Sequence, residues 1–352
     1  MFPMLAVGDA LRAQEPGASV FYVGTARGME AKLLPARGDD LELLDVAPLV
    51  GGGLRGFVRG AWRAATSLLP ARALLRRRRP DAVLSVGGYA AGPVSIAAWS
   101  AGIPVAILEP NGVFGLANRL LAPFAARAYT GFGSPGQGMN RDKVRNLGVP
   151  LRSTFTRSPY RALAGRFHVL ILGGSQGAAG LNQAAPEMMQ IVQRAIPYAT
   201  ICHQTGRGKA RDVERAYAAL SLQPAPRVLE FVDDVARELA AADVVIQRAG
   251  ASSLAELCVI GRPSILVPFP FAAGQHQLAN ARSVEAQGGA RVVEQRDATS
   301  ARLARELIDL ARSPEAREGM ARQSGHLGRP NAASDIATDL RALARSHQGR
   351  GR

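Results

Sequence analysis

The strongest constraint on this chain is a repeated switch in the period of its apolar residues. Strand-like runs occur at VFYVG (20–24), LELLDV (41–46), AVLSV (82–86), VAIL (105–108), HVLILG (168–173), ATICHQ (199–204), VLEFV (228–232), DVVIQ (243–247) and SILVPF (264–269). Between them, apolar residues recur at spacings of three and four, the period of a helix with one buried face. Strand alternating with helix is the pattern of parallel sheets covered on both sides. The polar, proline-bearing stretch VPLRSTFTRSPYRALAGR (149–166) starts no such pattern. The half that follows opens with HVLILGGSQGAAG, much as the first half has AVLSVGGYAAG. The sequence therefore predicts an α/β chain of two facing, Rossmann-like doubly wound domains with a ligand cleft between them. The expected divisions are an N-terminal domain over 1–150, a linker over 151–166 and a C-terminal domain over 167–329. A helix over 330–346 is expected to pack back on the first domain, with a disordered tail over 347–352.

From Ala82 to Leu108 no residue is charged, a span long enough to cross a bilayer. Gly87, Gly88, Gly92, Pro93, Gly102 and Pro104 divide it into strand, turn, helix and strand, so no transmembrane helix is read there. No basic region follows Met1, hence no signal peptide. Two cysteines, Cys202 and Cys258, fit a reducing compartment. With 47% apolar residues the chain can fill a core, which excludes intrinsic disorder. The formal charge is +15, yet Lys32, Lys143 and Lys209 are the only lysines. That arginine bias reflects a GC-rich genome, an anionic partner, or both. Nucleic acid is set aside: the basic groups are not interleaved with aromatics, and no recognised nucleic-acid module is present.

The start of the chain reads as a helix, MFPMLAVGDALRAQ, with Pro3 in its first turn. Doubly wound domains usually begin with a central strand, and none precedes this helix. The reading favours a frame that begins further upstream.

Several glycine-rich turns follow strands at their carboxyl ends, where open α/β sheets place ligands. Gly173-Gly174-Ser175-Gln176-Gly177-Ala178 opens a helix, and its N–H groups suit either a phosphate or a plain tight turn. It matches neither the P-loop nor the dinucleotide fingerprint. RAGASSLAE (248–256) offers a second cluster of amides, with Glu256 one turn on as a possible acceptor for ribose hydroxyls. An ordinary helix start with Ser252 as its cap explains it equally well. In GQHQLAN (274–280), His276, Gln277 and Asn280 suit sugar hydroxyls or simple packing. In the first domain, GGYAAGP (87–93) and EPNGVFGLAN (109–118) present Tyr89, Glu109, Asn111 and Asn118, with Tyr89 a possible contact and Glu109 a candidate acid or base. No His, Cys or Asp spacing suggests a metal site, and no cofactor is expected.

Residues 54–69 (LRGFVRGAWRAATSLL) place Arg55, Arg59 and Arg63 in one stripe with Trp62 at its border. This suits either an anionic membrane surface or an ordinary exposed helix face. Arg76 to Arg79 add four adjacent charges.

Taken in order, FPMLAVGDAL, YVGTARGMEAKLLP, SVGGYAAGP, EPNGVFGLANRLLA, NLGVPLR, LGGSQGAAGLNQ, EFVDDVARELAAADVVIQRAGASSLAEL and GQHQLANA resemble the MurG family over residues 1 to about 330. The resemblance implies the glycosyltransferase B fold. It also implies transfer of N-acetylglucosamine from UDP-N-acetylglucosamine to the C4 hydroxyl of a polyprenyl-pyrophosphate-linked muramoyl-pentapeptide, with inversion, in peptidoglycan synthesis. By motif, Ser175 with Gly173, Gly174, Gln176 and Gly177 would face the diphosphate and Arg152 the nucleotide. Val232 would meet the uracil. Ala251, Ser252, Ser253, Leu254, Ala255 and Glu256 would hold phosphate and ribose, and Gln277 and Asn111 the sugar. The family's first strand and GGTGGH loop are not among these residues, and Val149 stands where the family usually has asparagine. The implied location is peripheral, at the cytoplasmic face of the membrane. A UDP-N-acetylglucosamine 2-epimerase of the same fold, or a truncated UDP-binding remnant, are the competing expectations.

Overall fold

The computed structural model describes residues 1–26, 28, 30–45, 67–88, 90–132, 139–174, 176–272 and 275–348. The chain divides into two units. The first comprises Met1–Arg152 with Asn331–Arg352, and the second Ser153–Pro330.

In the first unit, α1 (Phe2–Gln14) leads to β1 (Phe21–Gly24), α2 (Glu30–Ala36) and β2 (Asp40–Leu43). Then come α3 (Leu68–Arg78), β3 (Val83–Ser85), α4 (Ala91–Ser100), β4 (Val105–Glu109), α5 (Leu116–Leu121), β5 (Arg127–Thr130) and β6 (Val144–Arg145). All pairings are parallel, but they form two sheets, β1–β2 and β3–β4–β5–β6. Among the described residues β1 pairs only with β2, and β3 only with β4. A cavity of about 1150 Å³ runs along both strands, lined by Phe21–Thr25 on one side and Val83–Val86 on the other.

The alternation of a two-sided strand is plain in β4. Ala106 and Leu108 join Val7 of α1 and Ile336 and Leu340 of the last helix. Val105 packs with α3 and α4, and Ile107 with Phe114 and Leu121. That last helix, Ala332–Gln348, is fastened to the first unit by polar contacts as well. Its Asp339 accepts from Tyr129 Oη at 2.8 Å and Arg127 Nε at 3.2 Å. It extends two residues into the stretch read as a disordered tail.

The second unit holds β7 (Phe167–Leu172), α6 (Ala179–Ala195), β8 (Ala199–Gln204), α7 (Ala210–Ala218), β9 (Arg227–Leu229) and α8 (Val235–Ala241). These are followed by β10 (Val244–Gln247), α9 (Ala251–Ile260), β11 (Ser264–Leu266), α10 (His276–Glu285), β12 (Arg291–Val292), α11 (Ser300–Arg312) and α12 (Pro314–Leu327). The helix Ala332–Gln348 is thus α13. The six strands are parallel in the order β12-β11-β10-β7-β8-β9, the doubly wound order whose switch point lies between β7 and β10. Phe167, Val169 and Ile171 bury one face of β7 against Leu181, Met188 and Val192 of α6 and Leu303 and Leu307 of α11.

Residues 153–166, read as a linker, are counted in the second unit and bolted to it. Tyr160 donates to Asp243 Oδ1 at 3.1 Å and accepts from Arg317 Nε at 3.0 Å. Buried Arg262 donates to Ser158 O at 2.7 Å.

Candidate functional site

In the second unit the carboxyl ends of β7 and β10 are adjacent, and each is followed by a tight turn into a helix. Glycine is required in the first turn. Gly174 and Gly177 have φ of +75° and +69°, the left-handed region that side chains resist. A Cβ on Gly177 would lie 2.0 Å from Thr205 O. At the second turn Gly250 caps α9 in an extended conformation, so Ser252 lies inside the helix rather than capping it. The N-termini of α6 and α9 therefore open on the switch point, each with unshared amides and the positive end of a helix dipole. Glu256 sits half-buried one turn into α9.

Two further loops close on these turns. Gln277 Oε1 accepts from Ala249 N at 3.3 Å and Phe269 N at 3.0 Å, and Asn280 Nδ2 donates to Ala249 O at 3.1 Å. Gln277 thus ties the turn after β10 to the segment after β11. Val232 is buried, and its neighbour Phe231 is 65% exposed. The structure brings the glycine turn, Ala251–Glu256 and Gln277 onto one unit at the ends of neighbouring strands. Val232 follows β9 at the same end of the sheet. Ser175 lies outside the described residues. Asn111 and Arg152 belong to the first unit, where the Arg152 guanidinium lies 5.7 Å from the ring centre of Phe2.

Sequence reasoning missed the turn after β8. Gln204 is buried, and its side-chain amide grips the glycine turn: Oε1 accepts from Gly174 N at 2.9 Å, and Nε2 donates to Gly174 O at 2.9 Å. The same Nε2 donates to Glu230 O at 2.9 Å. Lys209 Nζ donates to Gln176 O at 2.6 Å. His203, fully buried, meets Tyr217 Oη through Nδ1 and Asn182 Oδ1 through Nε2, both at 3.2 Å. Burial pushes its imidazole down to about 4. The available signal was TGRGK (205–209), one more glycine-bearing turn at the carboxyl end of a strand.

In the first unit Glu109 ends β4 and is 3% exposed. Its Oε1 accepts from Asn111 N at 3.1 Å and Asn111 Nδ2 at 2.9 Å. Its Oε2 accepts from Gly115 N at 2.8 Å and Asn118 Nδ2 at 3.0 Å. Four donors on one carboxylate make this side chain the organiser of the 110–118 loop, a geometry that supports a positioning role over acid–base chemistry. Tyr89 lies outside the described residues.

The stripe of Arg55, Arg59, Trp62 and Arg63 also lies outside them. In the first unit, large apolar residues are exposed on three helices that pack in succession: Leu69 (72% exposed) on α3, Trp99 (51%) on α4, and Leu116 (50%) and Leu120 (58%) on α5. Exposed Arg72, Arg76 and Arg119 accompany them on α3 and α5. Among the described residues no helix is long and apolar enough to cross a membrane, and no group of three or more His, Cys, Asp or Glu could hold a metal ion.

Residues 1–130 match the glycosyltransferase family 28 N-terminal domain, and residues 168–339 its C-terminal domain. The UDP-N-acetylglucosamine--N-acetylmuramyl-(pentapeptide) pyrophosphoryl-undecaprenol N-acetylglucosamine transferase of Sorangium cellulosum is 52% identical, over 99% of this chain and 87% of that protein. The Myxococcus xanthus protein of the same name is 35% identical over 100% of this chain and 93% of its own length. Among solved structures, Acinetobacter baumannii MurG superposes with a TM-score of 0.81 at 28% identity, covering 97% of this chain and 95% of that one. A putative UDP-N-acetylglucosamine 2-epimerase from Listeria monocytogenes gives 0.70 at 15% identity, with 98% and 95% covered, a likeness of fold alone.

Proposed function

The chain belongs to the MurG family, and from that premise we propose that it transfers N-acetylglucosamine from UDP-N-acetylglucosamine to the C4 hydroxyl of an undecaprenyl-pyrophosphoryl-muramoyl-pentapeptide, giving the disaccharide lipid of peptidoglycan synthesis. The observation that carries this reading is the pair of helix N-termini, α6 and α9, opening together at the switch point of the second unit. Such a pair suits the two phosphates of a nucleoside diphosphate.

The reaction is a single displacement. The acceptor hydroxyl attacks the anomeric carbon and gives its proton to a general base, the bond to the β-phosphate oxygen breaks, and UDP departs with inversion. Negative charge grows on the leaving diphosphate, and amides fixed before the reaction stabilise it without reorganising. Glu256 accepts from the ribose hydroxyls. Gln277 and Asn111 read the sugar, and Arg152 contacts the nucleotide. The backbone of Val232 meets the uracil. Glu109 holds Asn111 through two hydrogen bonds.

The acceptor is a lipid, so the protein works at a membrane surface, peripherally and on the cytoplasmic side. The exposed apolar residues Leu69, Trp99, Leu116 and Leu120, with arginines on α3 and α5, support that contact. Each basic group near an anionic leaflet adds on the order of 1 kcal/mol.

The test is transfer of labelled sugar from UDP-N-acetylglucosamine to a soluble analogue of the lipid acceptor, run on this chain and on one extended upstream by an apolar strand and glycine loop. The expected product is the disaccharide. If neither form makes it, the transferase reading fails, and formation of UDP-N-acetylmannosamine from donor alone would replace it with the epimerase.

A further inference from the structure

Gln204 is the last residue of β8, the strand between β7 and β9. In register it faces Leu172 on one side and Leu229 on the other. Regular pairing with β7 stops there, because the chain beyond Leu172 turns through Gly173 and Gly174. The side chain of Gln204 continues the ladder where the backbone cannot. It both accepts from and donates to Gly174, the two-way exchange of an antiparallel pair set at the end of a parallel ladder, and donates its second N–H to Glu230 O beyond β9. Both amide N–H groups are used, which fixes the orientation of the amide. No other side chain of this shape carries two donors and an acceptor.

One buried amide therefore joins the turn after β7 to the loop after β9, two residues before Val232. On the reading above, the first faces the diphosphate and the second the base. A nucleoside diphosphate must touch both at once, so its affinity depends on their fixed separation. We propose that Gln204 is a positioning residue for the nucleotide, setting the diphosphate turn and the base loop as one preorganised unit; the proposal rests on the donor-site reading.

The same unit supplies a matched control. Gln193 is also buried, and it also makes three hydrogen bonds: Nε2 to Ala199 O and Pro224 O at 3.0 Å each, and Oε1 from Gln223 N at 3.1 Å. Those bonds lie at the start of β8, the opposite end of the strand. Gln204→Met and Gln193→Met each remove three bonds and keep the side-chain length. UDP binding is then measured by titration calorimetry on the full chain, with unfolding midpoints alongside. The expected result is a UDP Kd at least tenfold weaker in Gln204→Met, and a loss at least five times that in Gln193→Met. A smaller difference between the two overturns the proposal, because Gln204 would then be an ordinary structural cross-link. If Gln204→Met does not fold, Gln204→Glu takes its place, keeping the acceptor for Gly174 and losing both donors. Failure of the parent chain to bind UDP would sink the donor-site reading itself, and this inference with it.

Discussion

Replacing Glu109 by glutamine separates two roles for that side chain. The substitution keeps shape and volume but turns one carboxylate oxygen into an NH₂ group. One oxygen faces Asn111 N and Nδ2, and the other faces Gly115 N and Asn118 Nδ2. Whichever way the new amide is turned, its NH₂ meets two donors. Two hydrogen bonds to a charged acceptor are lost, at about 1.5–3 kcal/mol each, from donors that are half-buried at Asn111 and Gly115 and buried at Asn118. The expected destabilisation is about 3–6 kcal/mol. For a domain of this size 1 kcal/mol moves the midpoint by roughly 2–4 °C, so the unfolding midpoint should fall by at least about 6 °C. Thermal unfolding followed by near-UV circular dichroism measures it, with transfer assayed well below the new midpoint. A general-base role makes the opposite forecast, a collapse of kcat at an unchanged midpoint. A midpoint within about 1 °C of the parent would refute the loop-organising argument.

Gly206 has φ of +89°, and a Cβ there would lie 2.4 Å from Gly177 N. Gly206→Ala should therefore cost about 1–3 kcal/mol in backbone strain and weaken UDP binding severalfold, as read by calorimetry; unchanged affinity would detach this turn from the site. His203 is held neutral by burial, its pKa lowered from 6.5 to about 4. The unfolded chain takes up that proton more readily. The resulting stability, about 3 kcal/mol, is fully present above about pH 6.5 and drains away as pH falls toward about 4. His203→Gln should flatten midpoint against pH across that window, and an equally steep profile would refute the assignment. Trp99→Glu combined with Leu120→Glu should weaken binding to phosphatidylglycerol vesicles at least tenfold, since each large apolar side chain contributes about 1.5–3 kcal/mol on burial. If only Arg55, Arg59 and Arg63 changed together to Glu have that effect, the membrane contact lies on the 54–69 segment instead.

Much of this architecture was legible because buried parallel strands must be apolar along their length. ATICHQ runs as β8 over the residues read for it, and HVLILG and DVVIQ fall within a residue of β7 and β10. VLEFV and SILVPF read too long. Strand pairing stops at Leu229 and Leu266; of the apolar residues beyond, Phe231 and Phe269 lie exposed on the loops while Val232 and Val267 are buried. Strands β5, β6 and β12 were missed, since RAYT mixes charged and apolar residues and two-residue strands have no period to detect. The glycine turns were visible as sequence, because positive φ leaves a glycine behind. Gln204 was not: a glutamine ending a strand looks the same whether it points to water or grips the next turn. The surroundings of Glu109 were hidden for a related reason. A carboxylate in a polar loop suggests chemistry until the donors that surround it are seen.

The gap between β1 and β3 separates two parallel ladders of the first unit. Each flank offers a ladder position that no described strand occupies, over a hollow of about 1150 Å³. A sheet edge is a template on which an extended polypeptide can pair. An extended segment laid in this slot would pair with both sheets of the first unit at once, whereas the described strands of the second unit are already paired in one continuous sheet.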